Sequence, residues 1–258
     1  MAYTKNVREI VEQIRMADEE EFGQLLAEYG EDPRAGVSKA LDAAQKRIDK
    51  TRAEKDRVEQ MYGAMREAGE GKVIVGVDEV GRGSLAGPLT VAAVVLPDDP
   101  IVEGLNDSKQ MTPRQRESVS ETIRQRAVAI GMVHIPPADI DRDGMSVSLK
   151  KAMSLAIEGI GLDADVVFID GNPVHVHPKE TCIVHGDGKV ACIAAASIVA
   201  KVARDELMVE ADSRYPGYGF AKNKGYGSQQ HIDAIRELGL CEIHRRSFCT
   251  SFLQQSLF

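Results

Sequence analysis

The chain has 258 residues, a net charge of −8 and 43% hydrophobic residues, an apolar content sufficient for an ordinary globular core. No stretch approaches the roughly 18 consecutive apolar residues of a membrane span, and the overall acidity argues against a general nucleic-acid coat protein. The four cysteines form no CxxC pair and the start of the chain lacks a signal-peptide apolar region. These features predict a cytoplasmic protein with reduced thiols and no membrane association.

Residues 1–70 are predicted to form an N-terminal helical extension. Apolar residues recur at helical spacing over 7–26, and the segment 32–36 interrupts the pattern with proline and glycine. A second helix with a nearly all-polar interior is predicted over 38–67. We therefore expect a helical hairpin with a solvated face, followed by a separate domain at 71–258; nothing in the sequence supports a partner-binding or substrate-clamping role for the hairpin.

From residue 72 onward, short apolar runs precede and then alternate with helical segments. Strands are predicted at 73–77, 89–96, 130–135 and 166–169. Helices are predicted at 113–128, 146–160, 191–211 and 229–238. This order predicts an α/β domain whose mixed sheet is flanked by helices.

Acidic residues follow two of these strands. Asp78 and Glu79 come directly after the strand at 73–77, and Asp170 follows the strand at 166–169. An unpaired carboxylate next to a buried strand is energetically costly, so a bound cation is indicated. Asp187 lies between two glycines just before a small-residue helix.

Neighbouring residues of a strand point to opposite faces. Asp78 and Glu79 can therefore serve one site only if the strand ends or twists there, which the glycines that follow permit. Carboxylates without paired cysteines favour Mg²⁺ or Mn²⁺ over Zn²⁺. Two such ions about 4 Å apart can activate water and stabilise the leaving oxygen in phosphodiester cleavage.

A glycine-rich segment, Gly81-Arg82-Gly83-Ser84-Leu85-Ala86-Gly87, follows the paired carboxylates. Its spacing is GxGxxxG, whereas the dinucleotide-binding fingerprint is GxGxxG. Pro88 and a β-rich run follow it in place of a helix. A nucleotide-cofactor enzyme is therefore disfavoured.

Two further segments carry groups that suit nucleic acid. Asn106-Asp107-Ser108-Lys109 offers amide, hydroxyl and ammonium groups for phosphate contacts. The run at 222–227 combines lysines, glycines and Tyr226, which can stack on a sugar or base. Each segment alone is equally typical of a surface loop. A local basic groove is expected from C-terminal residues: Lys222, Lys224, Arg236, Arg245 and Arg246.

On the helix at 191–211, Ser197, Lys201 and Arg204 share one face. We expect that face to be a solvated polar stripe. The opposite face, with Ile198, Val202 and many alanines, is expected to pack on the sheet.

Together, these segments make residues 72–250 closely resemble ribonuclease HII, the type 2 ribonuclease H. The shared motifs, in order, are DEVGRG-LAGP at 78–88, NDSK at 106–109, Asp170-Gly171, Gly186-Asp187 followed by IAAASIVAKVARD at 193–205, KGYGS at 224–228, His231 and HRRSF at 244–248. Two departures are small: Ser84 replaces a common proline, and Gln110-Met111 replaces Lys-Leu, which removes one positive charge near the expected phosphate contact. The motifs do not extend into the first 70 residues.

The resemblance implies a ribonuclease H-like fold with a central five-stranded mixed sheet. It also implies an endonuclease that cuts 5′ of ribonucleotides in RNA/DNA hybrids and of single ribonucleotides embedded in duplex DNA. The products would carry 3′-OH and 5′-phosphate ends. Such an enzyme serves ribonucleotide excision repair and RNA primer degradation.

The resemblance also carries over residue roles. It implies four catalytic and metal-binding carboxylates, which hold two Mg²⁺ or Mn²⁺ ions: Asp78, Glu79, Asp170 and Asp187. The 2′-hydroxyl, which separates RNA from DNA, is sensed in the family by residues matching Gly81, Arg82, Gly83 and Tyr226. The remaining expected substrate contacts are Asn106, Ser108 and Lys109.

Two rivals stay open from the sequence. The sister type, ribonuclease HIII, cuts hybrids but not isolated ribonucleotides. It lacks this Gly-Arg-Gly run and has a different N-terminal domain. A non-catalytic hybrid-binding protein is disfavoured, because four carboxylates would repel phosphates unless metal were bound. We expect a monomer; the sequence identifies no protein partner, although it leaves open a peptide-docking tail at 254–258.

Overall fold

The computed structural model describes residues 5–69 and 71–253. By its internal contacts the chain forms one unit up to Arg57 and a second from Val58 onward. The tail at 254–258, where a docking segment was left open, lies outside the described residues. The division after Arg57 falls earlier than the domain boundary expected after residue 70, which stays a prediction.

The first unit is helical: α1 (Val7–Met16), α2 (Glu19–Tyr29) and the first part of α3 (Ala35–Arg66). Three helices therefore occupy the segment for which a two-helix hairpin was predicted. The additional break separates α1 from α2, and α2 begins there with a capping box. In it the Asp18 side chain accepts the amide of Glu21, while the Glu21 carboxylate accepts the amide of Asp18. The continuous apolar spacing over 7–26 concealed this break. A small core joins the helices: Ile10, Ile14, Phe22, Tyr29, Val37, Leu41 and Ile48.

The second unit is built on a five-stranded mixed sheet, which confirms the predicted fold class. Its strands are β1 (Ile74–Val80), β2 (Leu89–Val95), β3 (Ala129–Ile135), β4 (Val166–Asp170) and β5 (Glu180–Ile183). They are ordered β3-β2-β1-β4-β5. The pairs β1–β2 and β2–β3 are antiparallel, whereas β1–β4 and β4–β5 are parallel.

Helices cover both faces of this sheet. They are α4 (Pro113–Arg126), α5 (Pro137–Asp143), α6 (Met145–Glu158), α7 (Ala191–Arg214), α8 (Phe220–Asn223), α9 (Gln229–Leu238) and α10 (Arg246–Leu253). Alternate strand residues serve the two sides: Ile74 belongs to the core that includes α7, and Val75 and Val77 to the core that includes α6. Within residues 5–69 and 71–253, no helix combines the length and apolarity that crossing a membrane requires.

The close packing of α7 on β1 positions the later part of the site. A Cβ added to Gly76 would lie 2.2 Å from the carbonyl carbon of Cys192, so only glycine permits this approach. The first residues of α7, from Ala191 to Ala200, are buried throughout. The turn that precedes α7 is consequently held close to the central strand.

The sequence did not predict β5, α5, α8 or α10. β5 has only four residues and lies at the sheet edge with no fully buried position. A strand of this kind carries no continuous apolar run to detect. The other three are short helices of four to eight residues.

Candidate active site

Three of the predicted carboxylates converge. Asp78 lies in β1, Asp170 ends β4, and Asp187 lies in the 3-10 turn Gly186–Gly188 just before α7. Because β1 and β4 are parallel neighbours, Asp78 and Asp170 meet at the same end of the sheet. One carboxylate oxygen from each of the three residues lies within 4.8 Å of the others.

Local hydrogen bonds hold these carboxylates in place. Oδ1 of Asp78 accepts the amide of Glu79 at 2.7 Å. Oδ1 of Asp170 accepts the amide of Gly186 at 2.7 Å, which ties β4 to the turn that carries Asp187. The Ser197 side chain also hydrogen-bonds to Asp78, so backbone amides and one hydroxyl of α7 together hold the cluster.

The cluster is electrostatically unfavourable as three bare anions. Burial, together with the charges of Glu79 and Asp170, raises the pKa of Asp78 well above its usual range. Burial also raises the pKa of Asp187, and Asp170 adds to this while Lys109 opposes it. A bound cation would relieve both effects, because it favours the charged carboxylates.

The donor set fits a hard divalent cation. It consists of carboxylate oxygens from Asp78, Asp170 and Asp187, two of them nearly buried. Mg²⁺ and Mn²⁺ prefer such oxygen ligands, with the remaining positions taken by water or substrate phosphate. These three residues could therefore hold a metal ion.

Glu79 is not part of this group. The strand does not end at Asp78, which was one of the two conditions under which both acids could serve one site: β1 continues to Val80, and Glu79 still pairs with Val91. The carboxylate of Glu79 instead forms an ion pair with Arg82 at 3.4 Å. Burial and the nearby charge of Asp170 raise the pKa of Glu79, while Arg82 lowers it. A ligand role for Glu79 stays a prediction.

The loop at 106–109 contacts the carboxylate cluster through the side chain of Lys109. Nζ of Lys109 lies 3.4 Å from Oδ2 of Asp187, and the lysine side chain is 77% exposed. Burial opposes its charged form, but Asp187, Asp107 and Asp78 outweigh that effect and raise the pKa of Lys109. Lys109 is therefore a firmly charged group beside the carboxylates, accessible to a ligand.

The other two predicted residues of this loop have different positions. Oδ1 of Asn106 accepts the amide of Asp107 at 2.8 Å and shapes the turn. Ser108 is buried, with its hydroxyl 3.0 Å from that of Ser197 on α7. The Ser108 side chain thus anchors the loop, and of the three residues only Lys109 is seen to extend toward the carboxylates.

The glycine-rich loop after β1 is joined to Tyr226. The amide of Gly81 donates to the Tyr226 hydroxyl at 3.2 Å, and the tyrosine is 38% exposed. Gly81 has a φ of +84°, and a Cβ there would lie 2.1 Å from Nε of Arg204. The structure therefore brings Gly81 and Tyr226 together and explains why position 81 requires glycine.

Two fully buried arginines, Arg204 and Arg245, donate hydrogen bonds to this loop. Neither their burial nor these contacts were predicted from the sequence. Arg204 donates to the carbonyl oxygens of Ala86, Pro88 and Lys224 and to the Ser84 hydroxyl. Arg245 donates to the carbonyl oxygens of Arg82 and Gly87.

The predicted solvated stripe on α7 is therefore wrong for Arg204, and for Ser197, which is also buried. Arg245, expected in a basic groove, likewise lies in the interior. Helical periodicity shows that these α7 residues share a face, but it does not show that carbonyl groups of distant loops cover that face. The unbroken run of small residues around this face was the available signal that α7 is enclosed on several sides.

Comparison with known proteins identifies the family. A family model described as ribonuclease HII matches residues 75–251, and a second, described as the ribonuclease HII N-terminal domain, matches residues 6–64. The chain belongs to the ribonuclease HII family. As a member of the ribonuclease HII family it is a metal-dependent endoribonuclease, and the N-terminal helices, which the sequence motifs did not cover, correspond to a domain found in the same family.

Individual relatives agree with this assignment. The chain is 42% identical to ribonuclease HII of Acetivibrio thermocellus over 89% of both chains, and 39% identical to ribonuclease HII of Listeria monocytogenes over 94% of this chain and 92% of the relative. The solved complex of PCNA with ribonuclease HII from Archaeoglobus fulgidus is similar in fold, with a TM-score of 0.62 and 23% identity over 71% of this chain and 98% of that one.

Proposed function

We propose that this protein hydrolyses the phosphodiester bond 5′ of ribonucleotides, both in RNA/DNA hybrids and at single ribonucleotides embedded in duplex DNA. The products would carry 3′-OH and 5′-phosphate ends. In the cell this activity would remove ribonucleotides from DNA and degrade RNA primers. We expect a cytoplasmic monomer.

The observation that carries this proposal is the contact between Gly81 and Tyr226, which lies just after the strand that bears Asp78. β1 delivers Asp78 to the acidic cluster, and three residues later Gly81 binds the Tyr226 hydroxyl. A ribose whose 2′-hydroxyl contacts this pair would lie close to the acidic cluster. Because the Tyr226 oxygen accepts from the Gly81 amide, its own O–H is left to donate to the 2′-hydroxyl, which can accept it.

Different residues would bind the metal ions, the phosphate and the ribose. Asp78, Asp170 and Asp187, with Glu79 as a fourth acid, hold the metal ions. Lys109 meets a phosphate of the bound strand, because its ammonium is charged and exposed. The backbone of Gly81, Arg82 and Gly83, with Tyr226, contacts the ribose. Asn106 shapes the loop that carries Lys109, and the buried hydroxyl of Ser108 anchors it.

The metal site follows from the same donor set. When bound, two Mg²⁺ or Mn²⁺ ions supply activation of water and stabilisation of the departing 3′-oxygen. The protein contributes a prearranged set of carboxylates, because Asp170 is fixed by the Gly186 amide and Asp78 by the Glu79 amide. Preorganisation of this kind is what gives electrostatic catalysis its strength.

A cleavage gel tests the proposal. Three duplexes are compared: all DNA, DNA with one embedded ribonucleotide, and a long RNA/DNA hybrid, each with Mg²⁺, Mn²⁺ or chelator. We expect metal-dependent cutting 5′ of the single ribonucleotide and within the hybrid, and none of the all-DNA duplex. Cutting of the long hybrid alone would assign the sister specificity, and no cutting with either metal would indicate a binding role.

The same gel tests the site. Asp78→Asn removes one charge from the cluster with little change in shape and should abolish cleavage while the protein stays folded. Asp163→Asn is the matched control, since Asp163 is exposed in a loop of the same unit. Retained cleavage by folded Asp78→Asn would remove Asp78 from the active site.

A further inference from the structure

Two histidines outside the carboxylate cluster are buried and in contact. His231 lies in α9, and His244 lies two residues before α10; they are 0% and 2% exposed. Their Nε2 atoms are 3.1 Å apart. The proposed reaction uses neither side chain, so their pairing needs a separate explanation.

The hydrogen bonds fix one tautomer for each ring. Nδ1 of His231 lies 2.9 Å from the carbonyl oxygen of Tyr226, which can only accept, so this nitrogen carries a hydrogen. In a neutral His231, Nε2 is then the acceptor, and Nε2 of His244 must donate to it. Nδ1 of His244 is left as an acceptor, and it receives the amide of Cys241 at 2.9 Å.

The surroundings favour neutral rings. Burial lowers the pKa of His231, and burial together with His231 lowers that of His244 to about 4. The pair is enclosed by aromatic rings: the centroid of Tyr218 is 4.9 Å from that of His244, and Phe220 is 5.3 Å from His231. At neutral pH both histidines are therefore uncharged, as the tautomers deduced from the hydrogen bonds require.

This chain of hydrogen bonds ends on the proposed ribose sensor. The Tyr226 carbonyl accepts from Nδ1 of His231 and from the amide of Ser228 at 2.8 Å. Ser228 in turn caps α9 through the amide of His231. At its other end, Tyr226 receives the Gly81 amide on its hydroxyl. The backbone of Tyr226 is thus fixed by α9 while its side chain meets the glycine-rich loop.

We propose that His231 is a positioning residue for Tyr226. His244 holds it in the Nδ1–H tautomer, and it fixes the Tyr226 backbone so that the phenol stays at the Gly81 amide. In this way the pair sets the preference for a single ribonucleotide in DNA. The inference rests on the proposed function, since it assigns a specificity role within the same site.

Two substitutions separate positioning from simple packing. In His231→Asn the side-chain amide nitrogen occupies roughly the place of Nδ1 and keeps the bond to Tyr226. In His231→Gln the amide lies near the place of Nε2, so contact with His244 is kept and the bond to Tyr226 is lost. Asn is shorter than Gln by one methylene and leaves the larger gap at this buried position, so a purely structural role predicts the greater effect for His231→Asn, which is the reverse of the order expected from positioning.

The readout is the ratio of kcat/KM for the single-ribonucleotide duplex to that for the long hybrid, measured well below the unfolding temperature. We expect His231→Gln to lower this ratio roughly tenfold, as loss of one aligned hydrogen bond implies, and His231→Asn to keep it within about twofold. His134→Asn, an exposed histidine on β3, is the control. Equal ratios in all variants, or a loss in His231→Asn as large as that in His231→Gln or larger, would overturn the proposal.

A measurement on the unaltered protein remains decisive if the variants fold poorly. Long-range ¹H–¹⁵N NMR at neutral pH should show His231 as the Nδ1–H tautomer and His244 as the Nε2–H tautomer. The opposite tautomers, or a charged ring, would refute the arrangement. If the unaltered protein does not cut the single ribonucleotide, the proposed function fails, whereas the NMR result still judges the histidine pair by itself.

Discussion

The amide of Gly81 donates to the hydroxyl of Tyr226 at 3.2 Å, joining residues that are 145 positions apart in the chain. The tyrosine ring also lies against a buried guanidinium, with Cζ of Arg204 5.4 Å from the ring centroid. A cation in this position attracts the face of the ring. Tyr226 is therefore oriented from two directions, by a backbone donor at its hydroxyl and by a charge at its ring.

Two substitutions at Tyr226 test its role in substrate preference. Tyr226→Phe keeps the ring and removes the hydroxyl, and Tyr226→Ala removes both. We expect each to lower the single-ribonucleotide to long-hybrid ratio of kcat/KM by roughly tenfold or more, because both remove the hydroxyl to which the proposed function assigns the sensing contact. The control is Leu238→Ala, at an exposed apolar position of α9. An unchanged ratio in both variants would remove Tyr226 from the sensing role.

Metal should stabilise the folded protein. The carboxylates proposed to hold the ions are brought together only in the folded protein, so a hundredfold excess of metal over Kd should raise the thermal midpoint by roughly 5–10 °C. In Asp78→Asn the rise should shrink, and the metal-free midpoint should exceed that of the unaltered protein, because the cost of burying an ionisable carboxyl beside Glu79 and Asp170 is gone. Thermal unfolding in Mn²⁺, Mg²⁺ and chelator measures this, with Asp163→Asn expected to keep the full shift.

The buried Arg204 should be essential for stability. Arg204→Leu leaves the acceptors Ala86, Pro88 and Lys224 without their donor, and the expected loss is at least about 3 kcal/mol in the free energy of unfolding. Arg124→Leu, at an exposed position of α4, should change it by less than about 0.5 kcal/mol. Urea unfolding compares the two, and a similar small effect from both would contradict the assigned hydrogen bonds.

The histidine pair should make stability depend on pH in acid. The pKa of His244 is about 4 in the folded protein and about 6.5 in a free chain. Between these values the unfolded chain binds a proton that the folded protein does not, so this group makes the free energy of unfolding fall as pH falls from about 6.5 to about 4. His244→Gln should flatten the curve in that window only; an unaltered slope would show that His244 titrates normally.

Much of the fold could be predicted because long apolar runs mark buried elements. β1, β2, β3, β4 and α7 were all located in this way, and the convergence of Asp78 with Asp170 followed from their shared position after strands. The course of β1 past Glu79 could not be predicted. It depends on continued pairing with β2, which local sequence does not encode.

The arginines show a different limit. A guanidinium near a polar stripe is expected in water, because burial of a charge is costly. Arg204 and Arg245 are buried because loops distant in sequence supply carbonyl oxygens that satisfy them. Such partners become visible only once the chain has folded.

The contacts of the glycine-rich loop also orient its peptide groups, with carbonyl oxygens toward the protein and amides away from it. The carbonyl oxygen of Gly81 accepts from Ser84, and that of Arg82 accepts from Arg245, so both are turned toward the protein. In a trans peptide the N–H points opposite to the C=O, which directs the amides of Arg82 and Gly83 outward. Two consecutive outward amides present the positive ends of their dipoles to a ligand. An acidic protein with a net charge of −8 thereby offers a locally electropositive backbone surface without using any side chain.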